Sequence, residues 1–220
     1  MKQRNIVLAI TGASGSAYAI RLAQVLLSAG HHIHLIVSGA ARQVAAQELN
    51  VGIPADNAAV DEWTDFIKTA LTSGIAAAWG FNKSSTEFSG TCSVHGIGDY
   101  SAGIASGSFL TGGMVICPCS MGTLSAIACG SSTNLVQRSA DVHLKERRPL
   151  VLVPRETPLS LVALENMTGL SRAGATILPA MPGFYQRPAC VANIVDFVVA
   201  RICDHLQVEH SLMRRWGETT

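Results

Sequence analysis

The chain alternates between short, continuous apolar runs and longer stretches with apolar residues three or four positions apart. That alternation predicts buried strands separated by helices. Residues 5–10 form the first run, and Ile20, Leu22, Ala23, Leu26 and Leu27 then mark a helix that Gly30 ends. Residues 32–37 alternate before turning continuously apolar, and Ser38 opens a second helix through about Leu49. A third helix is expected over 61–71 and a short strand over 75–79, before a glycine- and serine-rich loop or insertion at about 84–113. Then come a buried run from Met114, helices over 124–129 and 134–146, and a strand over 149–154 bounded by prolines. A helix over 158–172, a last strand over 175–179 and a helix over 191–206 complete the order. This alternation, without a repeat or linker, implies one α/β domain over 1–220. Its expected core is an open, doubly wound parallel sheet of the Rossmann or flavodoxin-like kind.

The middle of the chain carries the strongest chemical signal. In Met114-Val-Ile-Cys-Pro-Cys-Ser-Met-Gly-Thr123 an apolar run breaks into a turn and then into small, helix-compatible residues. Ser120, Gly122 and Thr123 stand where a first helical turn has unpaired N–H groups, so amides, hydroxyls and the positive helix end can hold a phosphate. The same order recurs where residues 5–10 run into Thr11-Gly-Ala-Ser-Gly15. In a parallel sheet both loops lie at the carboxyl edge, and Arg155-Glu156 follows another strand there, bringing a fixed cation and a proton carrier to the same mouth. Ser38 stands where a dinucleotide-binding fold usually has an acid, the first loop reads G-x-x-G, and no Gly-Lys-Ser/Thr follows. NAD and ATP therefore fit poorly, whereas FMN, a mononucleotide, keeps the phosphate loop without needing the acid.

Composition narrows the partner. The 220 residues, 48% hydrophobic and 14% charged, suffice for a substantial core. Sixteen basic and 15 acidic side chains create no field that collects nucleic acid or an anionic membrane, so anion binding is local. Mean hydropathy is high at +0.31, yet no apolar run approaches the ~20 residues of a membrane span. The surplus apolar surface is expected between subunits of a homo-oligomer. Lys2 and Arg4 precede a run shorter than the ~7–15 residues of a signal core, so a cytoplasmic protein is expected. The six cysteines suggest neither a disulfide framework nor a zinc knuckle. No metal is expected either. Asp61-Glu-Trp-Thr-Asp65 nearly reproduces an acidic magnesium motif, but no second cluster accompanies it and acids suit a first helical turn. His32 and His34 share a strand face without a third ligand nearby in sequence.

Thr11-Gly-Ala-Ser-Gly15, Cys117-Pro-Cys-Ser-Met-Gly-Thr123, Asn134, Lys145-Glu-Arg-Arg-Pro-Leu-Val-Leu-Val-Pro-Arg-Glu-Thr-Pro158, Glu165-Asn-Met167 and Pro179-Ala-Met-Pro-Gly-Phe-Tyr185 together resemble the UbiX/Pad-type flavin prenyltransferases. The resemblance covers most of the chain. It implies metal-independent transfer of a dimethylallyl group from dimethylallyl monophosphate to reduced FMN, with bonds at flavin N5 and C6, giving prenylated FMN for UbiD-type decarboxylases. It further implies FMN contacts at Gly12, Ala13, Ser14, Ser38, Ser120, Met121, Gly122, Thr123 and Arg155. Tyr185 and Arg201 would hold the prenyl phosphate, Lys145 and Arg138 would add charge, and Ser14, Glu48, Glu156 and Trp216 would line the reacting centre. Gly39 departs from the lysine that the family pattern places after the serine. Family members resemble one another in forming dodecamers, in keeping with the apolar excess. Two other activities share the FMN loops without needing a pocket of Lys145, Tyr185 and Arg201: an FMN-dependent decarboxylase of an aromatic acid or cysteinyl peptide, and a non-catalytic flavin carrier.

Overall fold

A computed structural model describes residues 3–81, 88–215 and 217. The apolar runs become β1 (Asn5–Ile10), β2 (His32–Val37), β4 (Gly113–Cys119), β5 (Leu150–Pro154) and β6 (Thr176–Ile177), joined at one edge by β3 (Thr91–His95). All pairings are parallel, in the order β3-β2-β1-β4-β5-β6. The order reverses between β1 and β4, which places a crevice outside their carboxyl ends. Seven helices flank the sheet among the described residues: α1 (Ser16–Ser28), α2 (Gly39–Leu49), α3 (Val60–Thr69), α4 (Met121–Ala128), α5 (Leu135–Lys145), α6 (Leu161–Arg172) and α7 (Val191–Leu206).

The continuous apolar runs follow from burial on both faces. Ile6, Leu8, Ile33, Leu35, Val115 and Val151 pack with Leu22 and Leu26 of α1 and Val199 and Ile202 of α7. Their neighbours Val7, Ala9, Ile36, Met114, Ile116 and Leu152 pack on the other face with Leu124, Leu135 and Leu170 of α4, α5 and α6. Strands covered twice lose the polar alternation of a half-exposed strand. None of the described helices is long and apolar enough to cross a membrane.

Two expected elements are corrected. Residues 75–79 are not a strand: Gly74–Trp79 is a 3-10 helix with only Ala76 buried, ended by Gly80 at φ 84°. Three consecutive alanines favour helical backbone, and this stretch has too little apolar surface to enter the sheet. The expected loop at 84–113 instead contains β3 and a short 3-10 turn, Gly103–Ala105, while 84–87 fall outside the described residues. As an edge strand β3 pairs only with β2 and buries only Cys92 fully, so its sequence lacks a strong apolar signature.

Two buried histidines make stability depend on pH. Burial, with His32 and His95 nearby, lowers His34 to about 4 from 6.5. His34 Nδ1 lies 3.0 Å from His95 Nε2, and His34 Nε2 is buried without a hydrogen-bond partner. Burial likewise lowers His143 to about 4. Its Nδ1 donates to Ser139 O at 2.6 Å and its Nε2 accepts from the Thr111 hydroxyl at 2.8 Å, an arrangement that suits the neutral ring. Between about 6.5 and 4 the unfolded chain binds more protons than the folded one. This contribution to stability is complete above pH 6.5 and is lost as pH falls towards 4. Urea midpoints should therefore drop between about pH 7 and pH 5, and His34→Phe should reduce the slope. An unchanged midpoint over that range contradicts both assignments.

Candidate active site

Because every strand is parallel, the residues after β1, β2, β4 and β5 share one edge. Ser38 caps α2, accepting from Ala41 N–H at 3.1 Å, and Ser120 caps α4, accepting from Thr123 N–H at 3.3 Å. Thr11 joins the first and central loops: its hydroxyl donates to Pro118 O and accepts from Ser120 N–H, both at 2.8 Å. Of the four N-terminal amides of α4, those of Ser120 and Thr123 are thus used internally. The Met121 and Gly122 amides have no acceptor among the described residues. A Cβ built on Gly122 meets nothing within 4 Å, so the approach to these amides is open. Two free amides at a positive helix end beside two hydroxyls fit a phosphate.

The first loop plays a different part. Its Gly15 and Ser16 amides donate to the Glu48 carboxylate at 2.9 and 2.8 Å, so a protein anion already occupies the α1 N-terminus. Gly12 is required by close approach, since a Cβ there would lie 2.4 Å from Ala40 Cβ. Ala13 is buried and its N–H bonds Thr11 O, while Ser14 is half-buried. Arg155 reaches across from β5, its Nε donating to Ser14 O at 3.2 Å. Glu156 is exposed and accepts from Thr157 N–H at 3.2 Å. The first loop thus holds Glu48 on its Gly15 and Ser16 amides and Arg155 on Ser14 O, with Glu156 next to Arg155 in the chain.

Buried thiols beside the crevice are not nucleophiles. Burial raises Cys117 and pushes Cys119 up to about 12, so both remain neutral. Burial also raises Tyr18, with Cys117 and Glu48 adding to the effect. Among the described residues, no three His, Cys, Asp or Glu side chains converge as a metal cage.

Tyr185 is tied to the same edge, whereas Arg201, Lys145 and Arg138 lie elsewhere in the protomer. Tyr185 belongs to the loop after β6, which is tied to the carboxyl edge by Ala180 N–H donating to Pro154 O at 3.0 Å. Its ring meets Phe197 of α7 edge-on at 5.6 Å, one turn before Arg201, so Tyr185 packs on the helix face that carries Arg201. Arg201 lies ten residues into α7, about 15 Å from its start at helical rise. The far end of α7 sits by the amino end of β1, where Arg4 bonds Leu206 O at 2.8 Å. Arg201 is paired with Asp204 at 2.6 Å. Burial opposes ionisation of Asp204, but His210 and Arg215 outweigh it and hold the carboxyl below its usual range. Lys145 ends α5 at the amino edge, paired with Glu146, and β5, about 13 Å long, separates that edge from Arg155. Arg138 is occupied by Ala105 O at 3.0 Å and Asp141 at 2.9 Å. Trp216 lies outside the described residues.

Sequence reasoning passed over Thr11 and Tyr18. Thr11 opens the Thr11-Gly-Ala-Ser-Gly15 loop, but nothing in the sequence singles out its side chain, and Tyr18 carries no local signal.

A family model described as Flavoprotein matches residues 1–203. The chain is 48% identical to the flavin prenyltransferase UbiX of Halalkalibacterium halodurans, covering 95% of this chain and 91% of that one. It is also 48% identical to the UbiX of Pseudomonas aeruginosa, covering 97% and 94%. Among solved structures, AnUbiX (PadA1) in complex with FMN and dimethylallyl pyrophosphate matches with a TM-score of 0.80 and 33% identity over 100% of both chains. A dodecameric FMN-dependent UbiX-like decarboxylase from Escherichia coli O157:H7 matches with a TM-score of 0.76 and 36% identity, over 98% of this chain and 100% of that one. With its carboxyl-edge phosphate loop and relatives of this kind along nearly its whole length, the chain belongs to the flavoprotein family and, within it, to the UbiX flavin prenyltransferases.

Proposed function

We propose that the protein transfers a dimethylallyl group from dimethylallyl monophosphate to reduced FMN, in the cytoplasm, and that the prenylated FMN serves a UbiD-type decarboxylase. The observation that carries this reading is the open N-terminus of α4, where the Met121 and Gly122 amides have no acceptor among the described residues, at the edge that also carries Arg155, Glu48 and Glu156. Gly12, Ala13, Ser14 and Ser38 would shape the flavin site, with Ser120, Thr123 and Arg155 holding its phosphate. Bound reduced FMN would supply nucleophilic positions at N5 and C6.

The protein's own groups would act on the donor. As the allylic C–O bond breaks, its electron pair leaves with the phosphate, and cationic Lys145, Arg138 and Arg201 with the Tyr185 hydroxyl would neutralise that charge. A monophosphate carries fewer charges than a diphosphate, so fixed cations suffice without a divalent metal. Glu156, exposed at the mouth, would carry the proton to or from the reacting groups. Glu48 is already fastened to the α1 amides, which leaves Glu156 as the carboxyl group free to turn towards the donor. Trp216 and Tyr185 would exclude water from the allylic carbon.

Arg201 and Lys145 lie towards the amino edge and cannot meet Arg155 of the same protomer by side-chain reach alone. A second copy must then bring them. The dodecameric relative supports such an assembly, as do the exposed apolar side chains of Leu161, Val162 and Leu164 on α6 and Met181 and Phe184 beside Tyr185.

Calorimetry should show stoichiometric FMN binding and none for NAD, and Arg155→Ala should weaken FMN by about 1.5–3 kcal/mol through loss of a charge-assisted contact. Tight NAD binding without FMN binding would falsify the cofactor assignment. Phosphate release from dimethylallyl monophosphate should require reduced FMN and survive EDTA. Activity lost to the chelator and restored by magnesium counts against the metal-independent reading. In single turnovers Glu156→Gln should retain FMN and slow the reaction by ~10²–10⁴-fold. A parent rate in Glu156→Gln alongside a stalled Glu48→Gln would transfer the proton-carrying role to Glu48.

A further inference from the structure

Thr11 closes β1 at the point where the strand order reverses, and only 3% of it is exposed. Its N–H donates to Pro118 O at 3.3 Å, its hydroxyl donates to the same oxygen at 2.8 Å, and that hydroxyl accepts from Ser120 N–H at 2.8 Å. Among the described residues these three bonds, all made by Thr11, are the hydrogen bonds joining the first loop to the central one. We infer that Thr11 is a positioning residue that gives the site its selectivity for a phosphorylated flavin. It withdraws the Ser120 amide from the ligand and sets the angle at which the chain enters α4.

The inference rests on the flavin reading above and deepens it. An anion at a helix N-terminus needs amides that converge, and which amides remain free decides where its oxygens sit. Ser120 N–H is held by Thr11, and Thr123 N–H by Ser120 Oγ at 3.3 Å. Adjacent Met121 and Gly122 are left, and both project from a turn that Thr11 anchors to β1. The Pro118 carbonyl near the end of β4 and the Ser120 N–H that precedes α4 are both satisfied by Thr11. Valine matches the shape of threonine but neither donates nor accepts. It would leave Pro118 O with only the backbone bond and leave Ser120 N–H buried without an acceptor or free to turn towards the ligand. Serine keeps the hydroxyl and both bonds.

Riboflavin, which lacks the phosphate, separates this role from general support of the fold. Dissociation constants for FMN and riboflavin would be measured by fluorescence quenching in the full-length parent, Thr11→Val and Thr11→Ser. Thr11→Val should weaken FMN about tenfold while riboflavin binds as in the parent, and Thr11→Ser should restore the parental ratio. A Thr11→Val protein that keeps the parental ratio, or loses both flavins equally, overturns the inference. A parent that binds neither flavin overturns the flavin reading itself. If Thr11→Val does not fold, a crystal structure of the parent with FMN decides. Phosphate oxygens on Met121 and Gly122 N–H, with Ser120 N–H still on Thr11, support the inference, and a phosphate bonded to Ser120 N–H refutes it.

Discussion

Parallel pairing of β1 with both β2 and β4 is the constraint on which the rest depends. It sends the chain away from the sheet on both sides of β1 at one edge, so the loops after β1 and β4 diverge and leave a crevice between them. Continuous apolar strands hold that geometry, because alternate residues of β1 pack under α1 and α7 on one face and under α4, α5 and α6 on the other. The crevice would be a gap between unsatisfied backbone groups without a bridge. Thr11 supplies it from a nearly dry position, where an unmade hydrogen bond is expensive.

The two loops look alike in sequence and act differently in the fold. One helix end is filled by the protein's own carboxylate, that of Glu48, and the other is left open at Met121 and Gly122. That asymmetry is why the proposed site puts the ligand's phosphate at α4, with the Glu48 carboxyl group at the other helix end. Arg155 ties the halves together from β5, through Ser14. The cations expected at the departing phosphate are set apart, with Arg201 on the flank of α7 and Lys145 at the end of α5. In the proposed reading, one protomer supplies the residues of the flavin cradle but only part of a prenyl-phosphate pocket, and the exposed apolar residues of α6 suit contact with another copy.

Much of this was legible in the sequence. Residues 5–10, 32–37 and 149–154 could hardly be anything but buried strands, and the Ser120 cap follows from a serine preceding small residues after an apolar run. Ser38, just after β2, is the residue on which the expectation of FMN over NAD rests. What escaped depended on contacts distant in sequence. The strand Thr91–His95 exists because β2 offers it an edge, and its own residues show little of that. Helical backbone at 74–79 reflects alanine preference where a short strand is expected over 75–79. The engagement of Glu48 with Gly15 and Ser16 crosses more than thirty residues, and nothing local announces it.

The central claim is that this cradle exists to prenylate the flavin it holds. Anaerobic incubation of the protein with reduced FMN and dimethylallyl monophosphate, followed by mass spectrometry of the released flavin, tests it most directly. The expected product is FMN carrying one five-carbon prenyl unit, formed with release of inorganic phosphate. Unaltered FMN, from a protein shown in the same sample to bind both ligands, would contradict it.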